Sequence, residues 1–271
     1  MHPRSCVSAI STFKLSLAED LAFWDAHGIS NVGVSVAKLE AYGWDLGTPL
    51  VVDAVAGGLN VVDLIGLGPF LLADPGRWER QRERLVRSID TAVAVGARSI
   101  IFTTGPFAPL TWEEAADALE QALEPVLHEA RAANIDFAIE HTNPLRVDVG
   151  FVHTLRDAID LARRLDTGVC MELNACWAER GLATTINDGI DRIRLVQVSD
   201  FKVGTVASSQ RLVPGDGDIP IRRILGELVA AGYPGSFELE LIGDAITGEG
   251  YDVAVPRAVT ALERLLAELG V

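Results

Sequence analysis

The chain has 271 residues, of which 49% are hydrophobic and 23% are charged, a composition that is ordinary for a soluble globular protein with a sizeable core. Its formal net charge of −15 argues against nucleic-acid binding, which needs a basic surface, and no apolar run approaches the roughly 20 residues that span a bilayer. The length fits two small domains or one large α/β domain.

The cysteines and the first residues indicate the compartment. Cys6, Cys170 and Cys176 are odd in number and irregularly spaced, which is typical of reduced thiols rather than of a disulfide framework. The N-terminal residues carry one arginine and only a short mixed apolar stretch, so they fit a first strand better than a secretory signal. We therefore expect a cytoplasmic protein.

Short β-branched runs alternate with helical ones along the chain. Ser16, with Glu19 three residues later, forms a capping box that opens a helix, and Gly28 closes it. The next long helix is predicted from Trp78 to about Val95. Further helices are predicted at 112–134, 154–166, 221–232 and 257–269.

Eight strands are predicted, at 4–10, 30–35, 59–65, 99–104, 136–140, 168–173, 194–199 and 236–241. Strands that alternate with helices imply parallel βαβ units, and eight units in a chain of this length fit a closed barrel better than an open sheet. No GxGxxG turn follows the first strand, so the dinucleotide-binding fingerprint is missing. The sequence therefore predicts an α/β fold, a single (β/α)8 TIM barrel over residues 1–271.

Polar side chains mark the ends of the last four predicted strands, where a (β/α)8 barrel carries its catalytic residues. These side chains are Glu140, Glu172, Gln197 and Glu240. Taken singly, such residues are more often solvated rim groups, but three converging carboxylates repel one another unless a cation lies between them. The all-oxygen set suits one Mg²⁺ or Mn²⁺. Glu238 faces the same way as Glu240, so we expect it one layer deeper or paired with a neighbour.

The loop after the seventh strand, SSQRLVPGDGDIPI, is the second informative stretch. Gly215 and Gly217 permit a tight turn, and Pro214 stiffens the approach to it. Arg211 precedes the turn, either as a surface side chain or as a fork-shaped donor to a substrate hydroxyl, oxyanion, carboxylate or phosphate.

The sequence resembles the xylose isomerase-like TIM barrels, the sugar phosphate isomerase/epimerase superfamily, over most of the chain and most strongly from about residue 96 to 243. AIEHTNP supplies the Glu of strand five, and RLVPGDG matches the family's R-x-x-P-G-x-G loop with Arg211. The pattern SFELEL places Glu240 at the last ligand position. Two ligand positions depart from the family: Glu172 stands where Asp is usual, and Gln197 where His is usual.

The resemblance also implies residues that bind substrate: Arg211, His141, Asn143, Trp177 and Lys202. Asn143 stands where the family usually has the strand-five His, with His141 nearby, and the strand-six His is replaced by Ala175. A histidine at the position of His141 is more often a packed or solvent-facing neighbour of the site than a proton shuttle. Trp177 resembles a pocket aromatic of the family, and a core Trp is the competing interpretation.

The function that the resemblance implies is that of a metal-dependent isomerase or epimerase. It would abstract a proton alpha to the carbonyl of a small keto-sugar or keto-polyol, with Glu140 and Glu240 exchanging protons on opposite faces of the substrate carbon and Mn²⁺ or Mg²⁺ stabilising the charge that forms. Cyclic keto acids and phosphorylated sugars stay open as substrates. An apolar final helix and tryptophan-bearing loops are compatible with a homodimer.

Three alternatives compete with this function. Gln197 resembles a feature of dehydratases of the 3-dehydroshikimate or inosose dehydratase type, and such a lyase needs an acid for the leaving hydroxyl, with His141, Lys202 and Asp200 as candidates. The missing family histidines leave open a catalytically inert barrel that acts as a binding subunit. A nuclease related to endonuclease IV needs a histidine-rich tri-zinc site, which five histidines in these positions do not supply.

Overall fold

The structure is a computed structural model that describes residues 1–68, 70–207 and 209–271. Eight parallel strands form a closed barrel in the order of the sequence, and the eighth strand pairs with the first. The predicted (β/α)8 barrel is therefore confirmed. Its strands are β1 (Ser5–Ser8), β2 (Asn31–Ser35), β3 (Asn60–Leu67), β4 (Ser99–Thr103), β5 (Asp136–Glu140), β6 (Gly168–Glu172), β7 (Ile193–Val198) and β8 (Ser236–Leu239).

Eleven α-helices occur in the described residues, and the longer ones cover the outside of the barrel. They are α1 (Leu17–His27), α2 (Val36–Tyr42), α3 (Trp44–Ala56), α4 (Trp78–Val95), α5 (Trp112–Ala132), α6 (Leu155–Leu165), α7 (Leu173–Cys176), α8 (Leu182–Gly189), α9 (Ile221–Ala230), α10 (Asp244–Glu249) and α11 (Tyr251–Glu268). No helix within the described ranges is long and apolar enough to cross a membrane.

The helix signals in the sequence are confirmed where they are local. Ser16 and Glu19 form both hydrogen bonds of the predicted capping box on α1, and Gly28 ends that helix in the left-handed conformation, at φ 65°. Helices α2, α3, α7, α8 and α10 were not predicted. In α3, Gly47 and Pro49 interrupt the helical pattern, so the segment resembles a loop in sequence although tertiary packing holds it helical.

Two strands, β1 and β8, end two residues earlier than predicted. The Ser8 hydroxyl accepts a hydrogen bond from the backbone N–H of Ile10, which turns the chain into a 3-10 helix over Ala9–Thr12 and ends β1 at Ser8. Strand β8 ends at Leu239, so Glu240 follows its last residue. The polar residues that follow these two strands therefore lie at the C-terminal rim of the barrel.

Apolar side chains form two clusters, one around the barrel strands and one inside the barrel. The main core lies between the strands and the surrounding helices. A smaller cluster fills the barrel interior with Ile65, Ile101, Ala138, Cys170 and Leu195. Three of these residues precede the predicted site residues of their strands by two positions, so they lie on the same face one layer deeper.

Candidate active site at the barrel mouth

A cavity of about 230 Å³ opens at the C-terminal rim of the barrel, and we call it the mouth cavity. Three predicted metal ligands line it, together with two predicted substrate-binding residues: Glu140, Glu172, Glu240, Arg211 and Asn143. The structure therefore brings these five side chains, which come from four separate parts of the chain, to one place. Their roles as ligands or catalysts stay predictions.

Gln197, the fourth predicted ligand, lies behind the cavity wall. It is fully buried, and its side-chain nitrogen Nε2 donates a hydrogen bond of 2.6 Å to Oε2 of Glu240. Strand register places Gln197 between Glu172 on β6 and Glu238 on β8. As expected, Glu238 is fully buried one layer below Glu240, where it accepts a hydrogen bond of 3.7 Å from Sγ of Cys6.

Burial and mutual repulsion make the mouth carboxyl groups weaker acids than usual. Burial, with the charge of Glu172, raises the pKa of Glu240 to about 7, although Arg211 opposes the rise. Burial, with the charges of Glu240 and Glu172, raises the pKa of Glu140 well above its ordinary value. The pKa of Glu172 is also raised by burial, against the effect of Arg211. Glu240 can therefore exchange a proton near neutral pH.

Arg211 supplies the positive charge that faces the mouth carboxylates. Its Nη2 lies 3.6 Å from Oε2 of Glu172, and the two side chains are 10% and 2% exposed. Its Nε and Nη1 atoms are buried and have no hydrogen-bond partner, so two donors of the fork are free to bind a group that enters the cavity. This geometry favours the ligand-binding interpretation of Arg211 over the surface one.

Asp200 holds the loop that carries Arg211. Its carboxylate accepts backbone hydrogen bonds from Phe201, Gly215 and Ile219, at 2.8, 2.8 and 3.1 Å. Gly217 packs against it so closely that an added Cβ would lie 2.2 Å from Oδ1 of Asp200. Because both oxygens are used, Asp200 organises the loop from behind and is not a free acid at the mouth.

Three of the predicted substrate-binding residues do not line the mouth cavity, judged on the part of the chain that the structure describes. His141 is fully buried, and its Nε2 accepts a hydrogen bond of 3.2 Å from the backbone N–H of Glu172. Burial, with the charge of His153, lowers the pKa of His141 to about 3, so its ring is neutral. Lys202 is exposed and pairs with Asp218 at 2.7 Å, and Trp177 packs against the main core.

Sequence reasoning missed two features of the barrel. Arg146 lines the mouth cavity, where its charge helps to lower the pKa of Glu140 against the larger effect of burial. Cys6, Asp63 and Glu238 form a buried group, which we call the interior cluster, with one ligand atom from each residue within 4.8 Å of the others. Asp63 in the apolar strand VVDLIG was the available signal, because a charged residue there must be paired or protonated.

The chemistry of the mouth donors fits a hard divalent cation. Oε2 of Glu172 and Oε1 of Gln197 are buried without a hydrogen-bond partner, and carboxylate and amide oxygens are the ligands that Mg²⁺ and Mn²⁺ prefer. The ligand atoms of the three mouth carboxylates do not all lie within 4.8 Å of one another. Within residues 1–68, 70–207 and 209–271, the interior cluster is the only set of three His, Cys, Asp or Glu side chains with ligand atoms within 4.8 Å of one another.

Solved structures share this fold, whereas no curated protein gave a significant sequence match. A protein from Sinorhizobium meliloti 1021 superposes with a TM-score of 0.84 and 24% identity, over 97% of this chain and 98% of that one. The IOLI protein, with a bound zinc atom, superposes with a TM-score of 0.81 and 16% identity, over 98% of this chain and 97% of that one. A D-psicose 3-epimerase with D-tagatose, from Clostridium cellulolyticum H10, superposes with a TM-score of 0.79 and 16% identity, over 98% of this chain and 99% of that one.

A family model supports a closer relationship than these structures, whose low identities show the fold alone. The model describes the xylose isomerase-like TIM barrel and matches residues 48–264. The matched range contains every residue of the mouth named above: Glu140, Asn143, Arg146, Glu172, Gln197, Arg211 and Glu240. The chain therefore belongs to the xylose isomerase-like TIM barrel family.

Proposed function

We propose that the protein is a divalent-metal-dependent isomerase or epimerase that acts on a small keto-sugar or keto-polyol. The observation that supports this most is the meeting of Glu140 and Glu240 with Arg211 in one cavity. Two carboxyl groups with raised pKa values and a free guanidinium are the groups that proton transfer beside a carbonyl needs.

Glu140 and Glu240 would serve as the two proton-transfer groups. They come from β5 and the end of β8, which are separated by two strands in the closed barrel. A substrate bound between them would present opposite faces to the two carboxyl groups. One group would take the proton alpha to the carbonyl, and the other would return a proton to the opposite face or to the neighbouring carbon.

Glu140, Glu172, Gln197 and Glu240 would hold one Mn²⁺ or Mg²⁺, which supplies Lewis-acid polarisation of the substrate oxygens when it is bound. Arg211 would orient the substrate through its unpartnered Nε and Nη1 donors. The loop held by Asp200 fixes where that guanidinium lies, and the buried setting keeps its charge effective.

The dehydratase alternative has less support from this structure. It needs an acid for the leaving hydroxyl, and the three candidates from the sequence were His141, Lys202 and Asp200. His141 is neutral and buried, Lys202 is exposed and paired, and both carboxylate oxygens of Asp200 accept backbone hydrogen bonds. None of these three described side chains lines the mouth cavity.

Proton exchange with solvent tests the proposal. The protein, loaded with Mn²⁺ or Mg²⁺, is incubated in D₂O with a panel of ketoses and keto-polyols, and products are followed by NMR. We expect deuterium at the carbon next to the carbonyl, with the rate reduced by about 10²–10⁴-fold in Glu140→Gln and Glu240→Gln. An unsaturated ketone that absorbs in the ultraviolet would instead identify a dehydratase.

Glu179→Gln is the matched control. Burial raises the pKa of Glu179 to about 7, as for Glu240, but its carboxylate accepts the backbone N–H of Leu155 outside the mouth cavity. This variant should keep the exchange rate. If no member of the panel exchanges protons, or if exchange survives in both Glu140→Gln and Glu240→Gln, the proposed reaction is wrong.

A further inference from the structure

The interior cluster lies at the seam where the barrel closes. Cys6 on β1 and Glu238 on β8 are register partners, and Asp63 reaches them from β3. All three side chains are fully buried. Sγ of Cys6 lies 3.7 Å from Oε1 of Glu238. Two ligands of one tetrahedral Zn²⁺, with bonds of about 2.3 Å to sulfur and 2.1 Å to oxygen, lie about 3.6 Å apart. The cluster thus already has the spacing of a ligand set.

Unpartnered oxygens point to a missing positive group. Both carboxylate oxygens of Asp63 and Oε2 of Glu238 are buried and accept no hydrogen bond from a donor group of the described residues; the hydrogen bond open to Asp63 is the one with the carboxyl group of Glu238, which needs a shared proton. Neither residue forms an ion pair with a Lys or Arg of the described residues that would balance its charge. Buried polar atoms are nearly always paired, because an unpaired one destabilises the folded protein and an unpaired charge destabilises it more.

Gly33 on β2 leaves the space into which both carboxylates project. A Cβ at this position would lie 2.1 Å from Oε1 of Glu238 and 2.8 Å from Oδ1 of Asp63. The two carboxylates therefore approach the same point above the Gly33 backbone. Such an arrangement gathers acceptors around one position instead of separating them, as repulsion between like charges would favour.

We propose that Cys6, Asp63 and Glu238 bind a thiophilic divalent cation such as Zn²⁺ inside the barrel, separately from the mouth. One thiolate and two carboxylates match the ligands of Zn²⁺, whereas the mouth offers oxygen atoms only. The ion would join β1, β3 and β8 across the closing seam, so its role is to hold the barrel shut. This site does not depend on the proposed reaction.

Co²⁺ provides a direct test, because a thiolate bound to Co²⁺ gives a charge-transfer absorption in the near ultraviolet and oxygen ligands do not. The protein is freed of metal with a chelator and titrated with Co²⁺ at mildly alkaline pH, both when folded and during refolding, since the site is fully buried. We expect one equivalent of Co²⁺ to produce the thiolate band, and Zn²⁺ to displace it and to raise the melting temperature.

Variants assign the band to this site. Cys6→Ser should abolish it and Asp63→Asn should weaken Co²⁺ binding at least tenfold. Cys170→Ser is the matched control, because Cys170 is also a fully buried thiol on a barrel strand but lies outside the cluster, and it should keep the band. Glu140→Gln, at the mouth, should keep it as well.

Each outcome of the Co²⁺ titration either supports or overturns the interior site. A band that requires Cys6 but not Cys170 supports the interior site. A folded, unaltered chain that gives no thiolate band, or a band that survives in Cys6→Ser, overturns it, and Asp63 and Glu238 then share protons instead. Circular dichroism checks that each variant is folded. If Cys6→Ser does not fold, the band of the unaltered chain and its response to Asp63→Asn decide.

Discussion

At the mouth, Glu140, Glu172 and Glu240 face a cavity and the guanidinium of Arg211. One layer deeper, Glu238 and Asp63 face each other and a thiol, and no Lys or Arg of the described residues forms an ion pair with them. The acids of the two regions are similar, but their means of balancing charge differ. At the mouth, the charge of Arg211 opposes the rise that burial causes in the pKa values of the three carboxyl groups.

The interior cluster has only two ways to avoid the cost of buried charge, which are protons and a bound cation. Burial raises the pKa of Asp63 to about 8 and that of Glu238 well above its ordinary value. The comparison teaches that three carboxylates in one layer of a barrel and two in the next can suit different uses, proton exchange in the first layer and retention of a proton or a cation in the second. Three substitutions would break or sharpen this difference.

Arg211→Met should have the largest effect. It leaves Glu172 and its neighbours buried without their counter-charge, so we expect the metal-free protein to lose about 3–5 kcal/mol of unfolding free energy at neutral pH. Urea denaturation measures the loss. Arg257→Met is the control, because Arg257 pairs with Asp216 and Glu249 on the surface and should contribute less than about 1 kcal/mol. Equal losses in the two variants would contradict the role given to Arg211.

Gly33→Ala addresses the interior cluster. The added methyl group collides with Glu238 and Asp63, so we expect a loss of about 1–3 kcal/mol of unfolding free energy, also by urea denaturation. Gly248→Ala is the control, since no atom lies within 4 Å of a Cβ built there and the residue is in helix α10. A Gly33→Ala protein as stable as the unaltered one would show that the two carboxylates can separate freely.

His141→Gln should have the smallest effect on the unfolding free energy, and the effect should be seen in how that free energy depends on pH. The folded protein holds this histidine at a pKa of about 3, below the ordinary 6.5, so the unfolded chain takes up the proton first and stability falls as pH drops from 6.5 towards 3. Removing the ring should lessen the loss of unfolding free energy between about pH 7 and 5 by about 2 kcal/mol.

The glutamine can still accept the backbone N–H of Glu172, which keeps the local hydrogen bond. His128→Gln, at an exposed position on α5, is the control and should leave the pH dependence unchanged. An unchanged slope in His141→Gln would mean that the ring is not buried as a neutral group, and that it could serve as a further cation at the mouth.

The sequence predicted the parts of this site that depend on one strand at a time. Glu140, Glu172 and Glu240 were identified because carboxylates at strand ends must share one rim of a barrel, and Arg211 because its loop has a specific glycine pattern. The alternation of side chains along β5 explains why His141 does not join Glu140: consecutive residues of a strand face opposite sides.

The interior cluster was not predicted, because it depends on the relative register of strands that are far apart in the chain. Cys6 and Glu238 are separated by 232 residues and meet only once the barrel closes. Asp63 joins them across a strand whose Gly33 looks like an ordinary small residue in sequence. The sequence pattern predicts on which face of the sheet a side chain lies. Which of these side chains meet depends on how the strands pair when the barrel closes.

The anchoring of the Arg211 loop through Asp200 has a consequence for specificity. The path of this loop is determined by a side chain that does not line the mouth cavity, through three backbone hydrogen bonds. Residues that contact the ligand can therefore change one at a time without moving the guanidinium. Relatives with different substrates could diverge, and designed variants could be selected, by exchanging wall residues such as Asn143 and Arg146 around an anchor that stays in place.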